Sequence, residues 1–136
     1  VDELSYETPE EYELSKYSSE TSKSYKTDID DKYCRFSVSS HGTYSYKTEE
    51  EYLKKTIYIS IDDKVSDIQT VTINNRDWKL ITVEDDYETT YTYAILYKDK
   101  IYEVEYEIKK DENDCSTDYE QFLNTLKLID KDLLTS

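Results

Sequence analysis

One histidine, His41, stands among Ser39, Ser40, Gly42 and Thr43, and it is the residue whose ordinary pKa would let it trade protons near neutral pH. With no second histidine, no two-histidine dyad can form, and a metal site built on His41 would have to draw its other ligands from carboxylates. A reactive serine beside it would also need an oxyanion hole, which a chain with one Gly hardly offers. The segment therefore reads as a polar turn at His41-Gly42. No GxSxG, phosphate-binding or dinucleotide-binding fingerprint occurs, and no catalytic residue is assigned.

Carboxylates are the other source of chemistry, since 32 acidic side chains face 17 basic ones for a formal charge of −15. They cluster as Asp28, Asp30 and Asp31; Asp62 and Asp63; Glu84, Asp85 and Asp86; and Asp111, Glu112 and Asp114 around Asn113. Asp-x-Asp spacing can offer several oxygens to calcium, but the glycine and distal glutamate of an EF-hand loop are missing. All four clusters fall where turns are expected, and turns favour Asp and Asn for backbone reasons. A calcium-dependent module or a hydrolase using these acidic loops is the alternative reading; no metal ligand and no cofactor is assigned. A charge of −15 repels phosphate, so nucleic acid and anionic lipid are excluded as unassisted partners.

Two cysteines, Cys34 and Cys115, lie too far apart in sequence for a short metal motif. They are either buried thiols or a disulfide that would constrain the unfolded chain by roughly 4 kcal/mol. Placement favours the disulfide: Cys34 lies on the apolar face of a strand and Cys115 just before the last helix, so a bond would staple helix to sheet.

Sixteen tyrosines complete the inventory, beside two Phe and one Trp. A tyrosine ring buries a large apolar area yet needs a partner for its hydroxyl, and the same ring suits binding surfaces. Those set outside the expected core include Tyr12, Tyr17 and Tyr25 in the loosely patterned opening segment, and Tyr44, Tyr46 and Tyr87. The last three are the expected binding surface.

Positioning these groups requires a fold, and 136 residues suffice for one domain with a real core. A single domain over 1–136 is expected, ordered over about 4–129. The first 27 residues predict short strands at 4–8 and 23–27. Alternation over 32–39 puts Cys34, Phe36 and Val38 on one face of a half-buried strand. Thr48 with Glu51 forms a capping box that opens a helix ending near Asp62-Asp63, with Tyr52, Leu53, Thr56 and Ile57 on one stripe.

Strands over 68–73 and 78–83 flank Asn74-Asn75, a two-residue type I′ turn, and the second of them has apolar residues on both faces, which implies a layer on each side. A hairpin with Asp99-Lys100 as its turn pairs Tyr97 with Tyr102, Ile95 with Val104, Tyr93 with Tyr106 and Tyr91 with Ile108 on one face. Its other face, with Ala94, Thr92, Glu103, Glu105 and Glu107, reads as mostly solvated. Ser116 or Thr117 caps the last helix, which carries Tyr119, Phe122, Leu123, Leu126 and Ile129 inward.

This order of elements resembles the PsbP/Mog-like fold seen in small exported bacterial proteins and lipoproteins. The resemblance is carried by the Trp78 strand after Asn74-Asn75, the Ile101-Tyr102-Glu103-Val104 strand after a tight turn, and the closing helix from Tyr119-Glu120-Gln121-Phe122-Leu123 into Leu126. It implies an α+β fold in which an antiparallel sheet of about six to seven strands is sandwiched between helices, and it implies export.

The expected protein is a non-enzymatic, exported or cell-surface domain that binds an unknown protein or carbohydrate. No stretch is apolar enough to span a membrane. The chain begins at Val1 and holds no Met, so it reads as a processed or trimmed product, and the export implied by the resemblance carries the expectation of a leader removed, or a lipid anchor, upstream of Val1.

Overall fold

The structure, a computed structural model, describes residues 1, 3–27, 34–43, 46–57, 59–109 and 115–129. It is an α+β fold dominated by antiparallel sheet. In chain order the elements are β1 (Leu4–Ser5), β2 (Glu13–Leu14), β3 (Ser22–Thr27), β4 (Cys34–Gly42), α1 (Glu49–Thr56), β5 (Lys64–Val65), β6 (Gln69–Ile73), β7 (Arg76–Glu84), β8 (Glu88–Tyr97), β9 (Lys100–Lys109), α2 (Ser116–Leu123) and β10 (Lys127–Leu128). The main sheet runs β2-β3-β4-β9-β8-β7-β5, with β6 also paired to β7; β1 and β10 pair separately. The main sheet thus has eight strands among the described residues, above the six or seven expected.

Several elements form where their residues dictate. Asn74 and Asn75 take φ of 49° and 65°, the positive values a type I′ turn needs, and Ile73 pairs with Arg76 across them. In the next hairpin the turn is Lys98-Asp99, one residue earlier than expected, with φ of 48° and 21°. Tyr97 therefore faces Lys100, Ile95 faces Tyr102, Tyr93 faces Val104 and Tyr91 faces Tyr106. Every pair has shifted by two residues, which changes partners but leaves each side chain on its expected face, because strands alternate with period two.

On one face of the sheet Cys34, Phe36, Val38, Trp78, Tyr93, Tyr102, Val104 and Tyr106 form a buried cluster with Tyr119, Phe122 and Leu126. The contacts are aromatic: Phe36 and Phe122 have centroids 4.1 Å apart, and Tyr106 stacks on Tyr119 at 4.2 Å. Tyr119 also takes the Arg35 N–H at 3.1 Å and donates to the Glu107 carbonyl at 2.9 Å. Tyr12 and Tyr25, set outside the core by sequence, both pack on Phe36, whereas Tyr17 is exposed. Cys34 and Cys115 are joined by a disulfide, with Cα atoms 5.9 Å apart, so the expected staple between α2 and the sheet is present.

The opposite face differs from expectation. Ala94, Ile81 and Ile101 are buried there with Tyr52 and Leu53 of α1, and Thr92 is buried as well. The hairpin face read as solvated is thus partly covered by α1, because small Ala94 and Thr92 leave room for a helix to approach.

Three boundaries also move. Strand β4 continues through His41 and Gly42, which pair with Ile101 and Lys100, so no turn forms there. Helix α1 stops at Thr56, well before Asp62, because Thr56-Ile57 begins a run of poor helix formers and the Thr56 hydroxyl bonds back to the Tyr52 carbonyl at 2.7 Å. Helix α2 has Cys115 at its N-cap, with no side-chain cap, since the disulfide fixes that end; neither Ser116 nor Thr117 caps it. It ends at Leu123, and the chain past it turns to pair with β1, held by Asn74 Nδ2 donating to the Asn124 and Leu126 carbonyls.

Candidate functional site

Strand β9 lies in the middle of the sheet order, and its Glu103, Glu105 and Glu107 project on the α1 side. Like charges in line on one strand repel, and no sheet needs them for packing. Beside them a cleft of about 600 Å³ opens between α1, the connection after it and the sheet. Its carboxylates are Asp63, Asp85, Glu103 and Glu105; its aromatic wall is Tyr46 and Tyr52, with His41 alongside and Ile57 and Val83 as apolar floor. No Lys or Arg lines it among the described residues.

The wall is built by α1. Thr48 caps that helix by accepting the Glu51 N–H at 3.1 Å, and three glutamates fill its first turn, where the helix dipole favours them. Glu51 turns its own carboxylate to the Lys47 N–H, one residue before the cap, so the expected reciprocal box is completed one position early. The helix so placed sets Tyr52 against the sheet. Tyr46 meets Tyr52 edge to face at 5.2 Å, His41 lies 5.3 Å from the Tyr52 ring, and Lys55 Nζ sits 6.0 Å from the Tyr46 ring.

A hydrogen-bonded chain holds the cleft's inner end. Tyr52 donates to Glu103 Oε1 at 3.1 Å, Ser39 donates to Glu103 Oε2 at 3.3 Å, and His41 Nε2 lies 2.9 Å from Ser39 Oγ. Ser39 Oγ and His41 Nε2 share one hydrogen, and which of them donates it is set by the imidazole tautomer. Burial, and then the charge of Glu103, push the Tyr52 hydroxyl above the ordinary tyrosine range, which keeps it a donor.

Glu105 is different. Among the described residues its carboxylate takes no hydrogen bond, and it lines the cleft directly. Burial first, then the charges of Glu103 and Glu107, raise its pKa to about 7 against the weaker pull of Arg35. Glu88 is also raised to about 7, by burial, by its hydrogen bond with Glu107 and by the charges of Glu107 and Asp85. A group with these properties can hold a proton near neutrality or, once ionised, pair with a cation.

The acidic turns do local work. Asp63 Oδ2 accepts the Ser60 N–H at 2.8 Å, and Asp85 Oδ1 accepts the N–H groups of Tyr87 and Glu88 at 2.7 and 2.8 Å. Clusters 28–31 and 111–114 lie outside the described residues. No group of three or more His, Cys, Asp or Glu is arranged to hold a metal ion among the described residues.

Of the expected surface, Tyr46 lines the cleft, Tyr87 is exposed at the β7–β8 turn, and Tyr44 lies outside the described residues. Tyr46 and Tyr87 are thus not brought into one wall. The residues sequence reading missed are Tyr52 in its polar role, Ser39, Glu103 and Glu105. The signal was there: glutamate at every second position of a strand, opposite small residues.

Neither a protein-family model nor a curated protein matches the chain. The fold does match a crystal structure from Bacteroides thetaiotaomicron VPI-5482, with a TM-score of 0.64 and 14% sequence identity over 96% of this chain. The chain spans 46% of that protein, and at this identity the likeness concerns the fold alone. No helix among the described residues is long and apolar enough to cross a membrane.

Proposed function

We propose that this is a binding domain whose cleft takes up a positively charged nitrogen, an ammonium or guanidinium group, carried by its ligand. One observation carries the reading: the Glu105 carboxylate lines the cleft without a hydrogen-bond donor among the described residues, beside two tyrosine rings. Carboxylate and aromatic face together are how proteins hold cations. The chain's charge of −15 adds long-range attraction for such a ligand. The reading is one of binding and not of catalysis, supported by a chain whose one Gly hardly offers an oxyanion hole.

The same reading places the domain outside the cytoplasm, exported or on the cell surface, supported by the disulfide. It also treats the architecture as PsbP/Mog-like, with the sheet sandwiched between its helices. The element order supports this: strands, α1, two hairpins and α2.

Titration of the ¹⁵N-labelled domain with n-butylamine and with glucosamine tests the cation. Shifts confined to residues around Tyr46, Tyr52 and Glu105, absent with n-butanol and glucose, are expected. Equal shifts with the neutral analogues would overturn the proposal.

A further inference from the structure

Exposed apolar side chains stand close in sequence to the cleft's lining residues. In the connection between α1 and β5, Ile61 is 99% exposed and Ile59 46%; Val65 on β5 is 40% exposed and Tyr87 at the β7–β8 turn 80%. These positions adjoin the cleft in sequence: Ser60, Asp63 and Asp85 line it. Val65 pairs with Val83, itself a lining residue, so Val65 lies on the cleft's side of the sheet. Strand β5 is also last in the sheet order, with β7 on one side and no strand on the other among the described residues.

We propose that the cleft receives a Lys or Arg side chain from an extended segment of another protein, which lies along β5 and packs its neighbouring apolar side chains on Ile59, Ile61 and Val65. This rests on the cation reading of the cleft and names the kind of ligand. Charge complementarity selects the occupant, since an acidic interior in a chain of charge −15 turns away an acidic segment and welcomes a basic one. A free amine or an amino sugar would fill the cleft and leave the isoleucines in water. An extended segment presents residues two positions either side of its cation on the same face, roughly 7 Å away, which is where a rim is met. Its main chain can also pair with the open edge of β5.

The test uses a panel of capped heptapeptides with central Lys or Arg and Ile, Val, Leu or Tyr two positions to either side, with n-butylamine as the free amine. Calorimetry should show the best peptides binding at least about tenfold tighter than n-butylamine, with Lys→Gln peptides losing that gain. Ile61→Ser, at a position almost wholly in water and so without a folding penalty, should weaken the peptides severalfold and leave n-butylamine unchanged. Peptides no tighter than n-butylamine and indifferent to Ile61→Ser would overturn the segment while leaving the cation site standing. If n-butylamine also fails to bind, the cation reading falls with it.

Discussion

The Tyr52 hydroxyl donates to Glu103 Oε1 across 3.1 Å, and this bond ties helix α1 to the strand at the middle of the sheet. The same side chain is buried in the smaller apolar cluster and forms part of the cleft wall. Packing and site are thus shared by one residue.

Tyr52→Phe keeps the ring and removes the bond. A hydrogen bond to a charged acceptor, partly shielded, is worth about 1–2 kcal/mol, so the unfolding free energy should fall by that amount and the urea midpoint with it. Unchanged stability would show that Glu103 is satisfied by Ser39 and water alone.

Glu105 and Glu88 give the domain an expected pH profile. Both hold their protons up to about pH 7 when folded, and release them near 4.5 when unfolded. Between those values the folded chain binds more protons than the unfolded one, so stability must fall as pH rises through this window and level off above it. Urea titrations from about pH 5 to about pH 8 should show that decline, and Glu105→Gln should flatten part of it while raising stability at the alkaline end. A parent profile without slope would contradict the placement of both carboxylates.

Reduction should matter. Opening the Cys34–Cys115 bond releases a long loop in the unfolded chain, and a loss of about 2–4 kcal/mol is expected on reduction or in the double Cys→Ala variant. Identical urea curves with and without reductant would show that α2 is held by its aromatic contacts alone.

Tyr119→Phe probes those contacts. Its hydroxyl takes the Arg35 N–H and reaches the Glu107 carbonyl in an almost fully buried position, so the variant strands a strand N–H at a cost of about 1–3 kcal/mol. Amide exchange at Arg35 should speed up with it; protection equal to the parent's would mean another acceptor takes over.

Much of this fold was legible in residue order. Asn74-Asn75 announced its turn because few other pairs tolerate positive φ twice, and Cys34, Phe36 and Val38 announced a buried face by alternation. The hairpin faces came out right although its turn did not, since Lys98-Asp99 and Asp99-Lys100 are equally plausible locally and differ by a shift that preserves facing. What alternation could not show is which polar face another element would cover. Glu103, Glu105 and Glu107 look solvated until α1 is known to land beside them, and that landing depends on where the helix ends, a matter of Thr56 and Ile57 rather than of the acids downstream. Tyr12 and Tyr25 were set outside the core for the same reason: their partners, Phe36 and Asp118, are distant in sequence.

The cation site is tested most directly by calorimetric titration of n-butylamine into the parent domain and into Glu105→Gln at a pH above about 7, where the carboxylate is ionised. Binding to the parent, weakened about tenfold or more by Glu105→Gln and weakened again in the parent as pH falls below about 6, is the expected result. Affinity equal in the two proteins at every pH would contradict the site.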